Sequence, residues 1–321
     1  MRELREGSRV ASVLMLRGVD VRRRREGDEY LKLMLGNRSG VLPAVVLGDV
    51  ESAREVCRTG QPVHVEGVFS VHPTYGGRLL VEAVRPAVPG EYDPDDLVDG
   101  PTRPAAQMEL DLRELVATVQ DPDLRRLLDA IVGADADTWP RFRDAPAAKH
   151  YHHAYRHGLL EHSLSVAQAV SAISAAFPGI DRDMAVAGAL LHDIGKLDVY
   201  EIRDEVIQMS DQGRLHGEIP LGYYRVRSLI EGLQDFPDHI AQAVLHIILS
   251  HHGSLEHGSP VIPCTREATL VHMADNLGGR LGSFDRVEKA LPAGSQWSSF
   301  DKGIGGGAYF AAPAVDQRRA A

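Results

Sequence analysis

A change of hydrophobic period divides this chain, and the break falls in the stretch RPAVPGEYDPDDLVDGPTRPA, residues 85–105. Ahead of it, apolar residues recur at every second position, as they do on one face of a strand. Behind it they recur every third or fourth position, as on the buried stripe of a helix. One regular element cannot satisfy both periods, and a run so rich in Pro, Gly and Asp satisfies neither. A chain of 321 residues has room for two ordinary domains. The expectation is a multidomain protein: an all-β domain over 1–90, a linker over 91–106, an all-α domain over 107–290 and a C-terminal tail over 291–321. The tail, GIGGGAYFAAPAVDQRRAA, reads as loose, with Tyr309 and Phe310 as the residues that could dock it.

The front domain has a definite strand order. RVASVLMLRGVDV is β-rich and breaks at the charged turn RRRREGD. YLKLMLG sends Leu31, Leu33 and Leu35 one way and Tyr30, Lys32 and Met34 the other. NRSG is a turn, VLPAVVLGD a strand, and VESAREVCRTG a short helix closed by glycine. QPVHVEGVFSV and GRLLVEAV add two strands around HPTYGG. Three strands, a helix and two strands is the order of an OB-fold barrel, a fold that often holds single-stranded nucleic acid. Arg22, Arg23 and Lys32 are candidates for the phosphate backbone; Tyr30, Phe69 and Tyr75 are candidates for base stacking. The alternative use of such a barrel is packing or homo-oligomer formation.

Charge supports a division of labour. Residues 1–90 hold 14 Lys and Arg against 11 Asp and Glu, a balance of +3, which leaves −13 of the overall −10 for the rest. An acidic body argues against a protein that coats nucleic acid indiscriminately. The N-terminus, MRELREGSRV, is charged from its second residue and does not read as a secretory signal. IAQAVLHIILS is too short and too polar to span a bilayer, so no membrane partner is expected. Two cysteines, Cys57 and Cys264, make no framework and fit a reducing cytoplasm.

The helical body carries its histidines at the ends of apolar runs. His162 follows GLL and a glutamate, His192 and Asp193 follow GALL, His251 and His252 follow IILS, and Asp275 lies in VHMADNLGG. In LLHDIGKL, residues 190–197, such a pair is either a hydrogen-bonded helix end or half of a metal site. Imidazole and carboxylate at apolar faces need a partner or a cation, and four such places in one domain favour the cation. Imidazole with carboxylate suits Mn, Fe, Co or Ni. No cysteine joins in, as a structural zinc site would require, and there is no HExxH pair.

These strings carry a resemblance. EHSLSVA, LLHDIGK, LSHHG and ADNL together resemble the HD-domain metal-dependent phosphohydrolases. DAPAAKHYHHAYRHGLLEHSLSVA, LSHHGSLEHGSP and HMADNLGGRL are similar to the YhaM-type 3′→5′ exoribonucleases, in which an OB-fold precedes the HD domain. The resemblance implies that His162, His192, Asp193 and Asp275 hold a first divalent ion. It further implies that His251 holds a second, Asp193 bridging the two, with His252 a further candidate. Lys196 matches a lysine expected to face the phosphate. Where relatives have a histidine in GHI, this chain has Glu218 in GEIPLG, with His216 two residues earlier. Taken as one helix, the two would not share a face, and Glu218 is the preferred ligand. The implied activity is hydrolysis of single-stranded RNA, or DNA, from the 3′ end to nucleoside 5′-monophosphates. Metal-activated water would be the nucleophile, and His152, His153 or His157 would touch phosphate or protonate the departing oxygen. The competing activity is hydrolysis of a small nucleotide, such as a cyclic dinucleotide or a dNTP. A nucleic-acid-binding protein with a vestigial site is the non-enzymatic alternative.

Overall fold

The computed structural model describes residues 4–23, 27–38, 40–72, 76–97, 100–101, 103–149, 153–203, 206–291 and 295–311. The chain forms two compact units, Met1–Asp99 with Phe284–Ala321, and Gly100–Ser283. The boundary at 99/100 falls inside the Pro/Gly/Asp-rich stretch. The grouping of the C-terminal segment with the N-terminal unit is not visible in the hydrophobic period, which runs unbroken through the last helix.

The N-terminal unit is a closed five-stranded barrel in the order β1-β2-β3-β5-β4. Its strands are β1 (Arg9–Arg23), β2 (Glu29–Asn37), β3 (Gly40–Val46), β4 (Pro62–His72) and β5 (Gly76–Pro86), with α1 (Val50–Val56) between β3 and β4. Closure comes from a parallel pairing of β3 with β5, Ala44 opposite Leu79 and Val46 opposite Val81. The alternation read from YLKLMLG is the barrel's inside and outside: Leu31, Leu33 and Leu35 are fully buried and face Val46, Ala44 and Leu42 on β3. Asp49 starts α1 by accepting the backbone N–H of Ser52, the usual role of Asp at a helix N-terminus. A bulge between Leu16 and Gly18 turns Arg17 across the face of β2, where its side chain occupies the space that a Cβ on Gly36 would need. Beyond the barrel lies the short α2 (Pro94–Leu97).

The second unit is helical: α3 (Ala105–Ala117), α4 (Pro122–Val132), α5 (Trp139–Asp144), α6 (Gly158–Ser174), α7 (Arg182–Leu191), α8 (Lys196–Val199), α9 (Asp211–His216), α10 (Glu218–Gly232), α11 (Asp238–Ser250) and α12 (Arg266–Ala290). Asp121 with Pro122, and Asp181, start α4 and α7, each aspartate accepting N–H groups of the first turn. The core is the shared interior of α6, α7 and α11, with Leu164, Leu190, Leu191, Ile247 and Ile248 fully buried. The hairpin β6 (Tyr200–Arg203) and β7 (Val206–Met209) follows α8; the sequence reading did not anticipate it, because four-residue strands carry too few positions to show a period. Among the described residues no helix is long and apolar enough to cross a membrane.

The tail is less loose than its glycines suggest. Residues 295–311 fold back on themselves, with Trp297 bridged to Tyr309 and Asp301 to Gly306.

Candidate metal centre

The histidine after α7 and the histidine after α11 use the same local device. His192 follows the last residue of α7, and its Nδ1 donates to the Ala189 carbonyl three residues back at 2.7 Å. His251 follows the last residue of α11, and its Nδ1 donates to the Ile248 carbonyl at 2.8 Å. Each ring thus satisfies one of the carbonyls that a helix leaves open at its C-terminus. In doing so it fixes its own tautomer, with the Nε2 lone pair turned inward. The question raised by LLHDIGKL therefore has a double answer: the histidine is a satisfied helix end and, through its other nitrogen, a candidate ligand.

The inward atoms converge. His162, from the first half of α6, places Nε2 3.2 Å from Nε2 of His192. It also stands 3.2 Å from Asp193 Oδ2 and 3.1 Å from Asp275 Oδ1. His192 Nε2 is 3.4 Å from Asp193 Oδ2 and 3.7 Å from Asp275 Oδ1. His162, His192 and Asp275 each offer one atom, all within 4.8 Å of one another. The other oxygen of Asp193, Oδ1, faces His251 Nε2 at 3.6 Å. That nitrogen is buried and has no hydrogen-bond partner among the described residues. An orphaned lone pair in the protein interior is unfavourable by about 1–3 kcal/mol, and a cation removes the penalty. The donor set of imidazole nitrogens and carboxylate oxygens suits a borderline divalent ion. The residues present therefore fit a metal.

Burial sharpens the electrostatics, since His162, His192 and Asp193 are each 2% exposed or less. Burial alone opposes charge on the two rings, yet Asp193 and Asp275 outweigh it. They hold His192 up at about 10 and raise His162 above the ordinary imidazole value. Burial also pushes the Asp193 carboxyl up, and the ammonium of Lys196 with the two rings overrides it, so Asp193 lies well below the usual carboxylate range. Asp275 is held down in the same way by His162 and His192. The 3.2 Å between the two Nε2 atoms has room for one proton. Without a cation the ring pair keeps that proton at neutral pH; a bound cation must displace it. Metal binding is thus expected to release about one proton near pH 7, and apparent affinity to strengthen as pH rises. Titration calorimetry in two buffers of different ionisation enthalpy measures this, and identical heats in both would refute it.

The remaining candidates fall into place unevenly. Lys196 opens α8 with Nζ 2.6 Å from Asp193 Oδ2, so it neutralises the carboxylate from the side away from His251. The His252 ring meets that of His251 edge to face, centroids 4.3 Å apart, its Nδ1 donates to the His257 carbonyl, and its Nε2 lies 3.4 Å from Glu218 Oε1. Glu218 and His216 do not share a helix: Gly217, at φ 75°, ends α9 and starts α10. His216 points to solvent, and Glu218 heads α10 beside His252. His216→Ala is expected to leave metal content unchanged, whereas Glu218→Ala lowers it. Elemental analysis of the two purified variants decides; full metal content in Glu218→Ala would reject Glu218.

His153 holds a left-handed backbone, φ 55°, and its ring lies 5.5 Å from that of His162. Its Nε2 is 3.9 Å from Glu161 Oε2, an oxygen that also accepts the Tyr155 hydroxyl at 2.6 Å. His157, also left-handed, donates from Nδ1 to the Arg143 carbonyl. His152 lies outside the described residues.

On the barrel, Arg22 and Arg23 are exposed but engaged with Asp20 and Glu29, each at 3.2 Å. Lys32 is exposed on β2, and Tyr30 is half-buried opposite Arg22. Lys32, Arg17, Met34 and Thr59 line an open cleft of about 290 Å³ over β1 and β2. Phe69 corrects the sequence reading: it is 1% exposed and part of the barrel core, so it offers no face to a base. In QPVHVEGVFSV it shares the inward parity of Val63 and Val65. Tyr75 lies outside the described residues.

The sequence pattern of the HD domain matches residues 159–279, the span from α6 through the middle of α12 that supplies nearly every group above. The chain is 32% identical over 271 residues to the 3'-5' exoribonuclease YhaM of Bacillus subtilis (strain 168), covering 83% of both chains. It is 30% identical over 292 residues to the 3'-5' exoribonuclease YhaM of Geobacillus sp. (strain WCH70), covering 89% of this chain and 87% of the relative. A barrel ahead of an HD domain, matched over most of the length of both relatives, places this chain in the YhaM family of 3'-5' exoribonucleases.

Proposed function

We propose that the protein is a metal-dependent 3′→5′ exoribonuclease that shortens single-stranded RNA and releases nucleoside 5′-monophosphates. The observation that carries this reading is the placement of Asp193, whose two oxygens face different imidazoles, Oδ2 toward His162 and His192 and Oδ1 toward His251. One carboxylate presented to two sets of nitrogen ligands is the arrangement for a pair of cations.

His162, His192, Asp193 and Asp275 would hold the first ion; Asp193, His251, His252 and Glu218 would hold the second. Mn or Fe suits this donor set best, with Co or Ni as alternatives. When bound, such ions acidify a water and neutralise a phosphate. The protein's own groups do the rest. Asp193 and Asp275 stay ionised and present carboxylate oxygens to an arriving cation. Lys196, beside Asp193, would supply a positive charge to the phosphate. His153 gives a proton to the 3′ oxygen as the P–O3′ bond breaks and the water oxygen bonds to phosphorus. Glu161 and Tyr155 orient that ring. Arg22, Arg23, Lys32 and Tyr30 guide the strand along the barrel.

The test is incubation of the purified protein with Mn²⁺ and a single-stranded RNA labelled at its 5′ end, with a cyclic dinucleotide in parallel. A ladder shortening from the 3′ end with nucleoside 5′-monophosphate as product is expected. Turnover of the cyclic dinucleotide alone would reject the reading in favour of a small-nucleotide enzyme.

A further inference from the structure

The C-terminal fold-back leaves aromatic surface in water. Trp297 is 64% exposed, Tyr309 52% and Phe300 71%. Exposure on a loose tail would mean little, but this segment is held at many points. Ser298 and Ala308 exchange hydrogen bonds, Ala308 accepting from the Ser298 backbone and donating to its hydroxyl, each at 2.9 Å. Asp301 accepts the backbone N–H groups of Gly303 and Ile304, and takes the guanidinium of Arg286 on α12 at 2.6 Å. One side faces inward: Ala308 is 1% exposed, and the Phe310 ring meets that of Phe284. The other side carries Trp297 and Tyr309, cross-strand partners with ring centroids 5.1 Å apart. Gly307 stands beside them, where a Cβ would lie 3.8 Å from the indole ring.

A braced turn that presents a Trp–Tyr pair to solvent has paid the ordering entropy in advance, which favours binding over packing. The chemistry of the face selects the occupant. Its groups are aromatic rings with polar edges, which suit the face of a nucleobase better than an aliphatic partner. Asp301 is neutralised by Arg286, so the charge left on residues 295–311 is the cation of Lys302, at the turn. The fold-back also belongs to the same compact unit as the barrel. We infer that Trp297 and Tyr309 form a base-stacking platform for the single-stranded nucleic acid substrate. This rests on the exoribonuclease reading.

Two tryptophans make the test selective, because Trp139 is buried in the helical core at 6% exposure whereas Trp297 is open. A uridine oligomer is titrated into the full-length protein in EDTA, to prevent hydrolysis, while intrinsic fluorescence is followed. Quenching of an exposed tryptophan is expected. Trp297→Ala abolishes the quench and weakens binding about 5- to 150-fold, the range for one stacked base. Trp297→Phe, which keeps a ring, retains most of the affinity. Hydrolysis of bis(p-nitrophenyl) phosphate, which needs no platform, stays at the unsubstituted level in both variants. Three results overturn the platform. One is unchanged oligomer affinity in Trp297→Ala. Another is equal loss of affinity in the Ala and Phe variants. The third is a shift of sedimentation to a smaller species in Trp297→Ala, which would make the face a contact between copies. Each leaves RNA hydrolysis by the unsubstituted protein intact; if that protein neither degrades nor binds RNA, the exoribonuclease reading itself fails.

Discussion

Asp193→Ala is expected to lower RNA hydrolysis by about three to four orders of magnitude, since losing several kcal/mol of metal-borne stabilisation corresponds to that factor. The substitution removes both oxygens that separate the two groups of imidazoles, so neither half of the site keeps its full ligand set. It also strands Lys196. That ammonium is 13% exposed and 2.6 Å from the carboxylate, and breaking a buried pair by deleting one partner destabilises by about 3–5 kcal/mol. Rate and stability must therefore be measured together. A folded Asp193→Ala protein that has lost its metal and its activity, yet still binds an RNA oligomer, is the expected outcome. Metal-dependent hydrolysis surviving within tenfold of the original rate would remove Asp193 from the centre.

Gly195→Ala is the second large effect, and it acts through space alone. Gly195 has φ −65° and ψ −20°, a conformation open to any residue. A Cβ there would lie 2.0 Å from the Glu218 carbonyl oxygen and 2.6 Å from the Gly222 nitrogen. Both are backbone atoms, with no rotamer to relieve the clash, so α8 and α10 must move apart. Overpacking of this kind is unfavourable by about 3 kcal/mol, which lowers the melting temperature by roughly 6–12 °C in a domain of this size. The same shift carries Glu218 away from His252 and lowers metal content. Gly217→Ala is the informative contrast: its φ of 75° with ψ of 165° is a conformation reserved for glycine, with open space around it, so its penalty of about 1–3 kcal/mol is backbone strain with no overlap. Thermal melts and elemental analysis of the two variants separate these effects. A Gly195→Ala protein that melts with the original would show that the contact between α8 and α10 is not tight.

These two residues show what the sequence could and could not disclose. The HD pair was legible because imidazole and carboxylate at the end of an apolar helix demand a partner. The barrel was legible because Leu31, Leu33 and Leu35 alternate without a break. Gly195 was visible only as a helix stop, because the backbone it must admit comes from a helix 23 residues further on. Phe69 was misplaced because aromatic character was weighted above parity. The pairing of Glu218 with His252 was settled by Gly217, whose positive φ turns what reads as one helix into two. The brace under Trp297 was hidden for a different reason: Arg286 holds Asp301 across 15 residues, and a glycine-rich string gives no period to announce it.

Which ions the proposed centre can accept depends on which of its groups can move. His192 and His251 are tied through Nδ1 to the carbonyls of their own helices, so neither ring can advance or retreat without giving up that hydrogen bond. Ions differ in radius, and something must adjust when one replaces another. That freedom belongs to the carboxylates, and most of all to Asp275 and Glu218, which lack such a tether among their described contacts. In the proposed centre, tolerance for a larger or smaller ion would therefore be a property of two acidic side chains, with His192 and His251 as a fixed gauge.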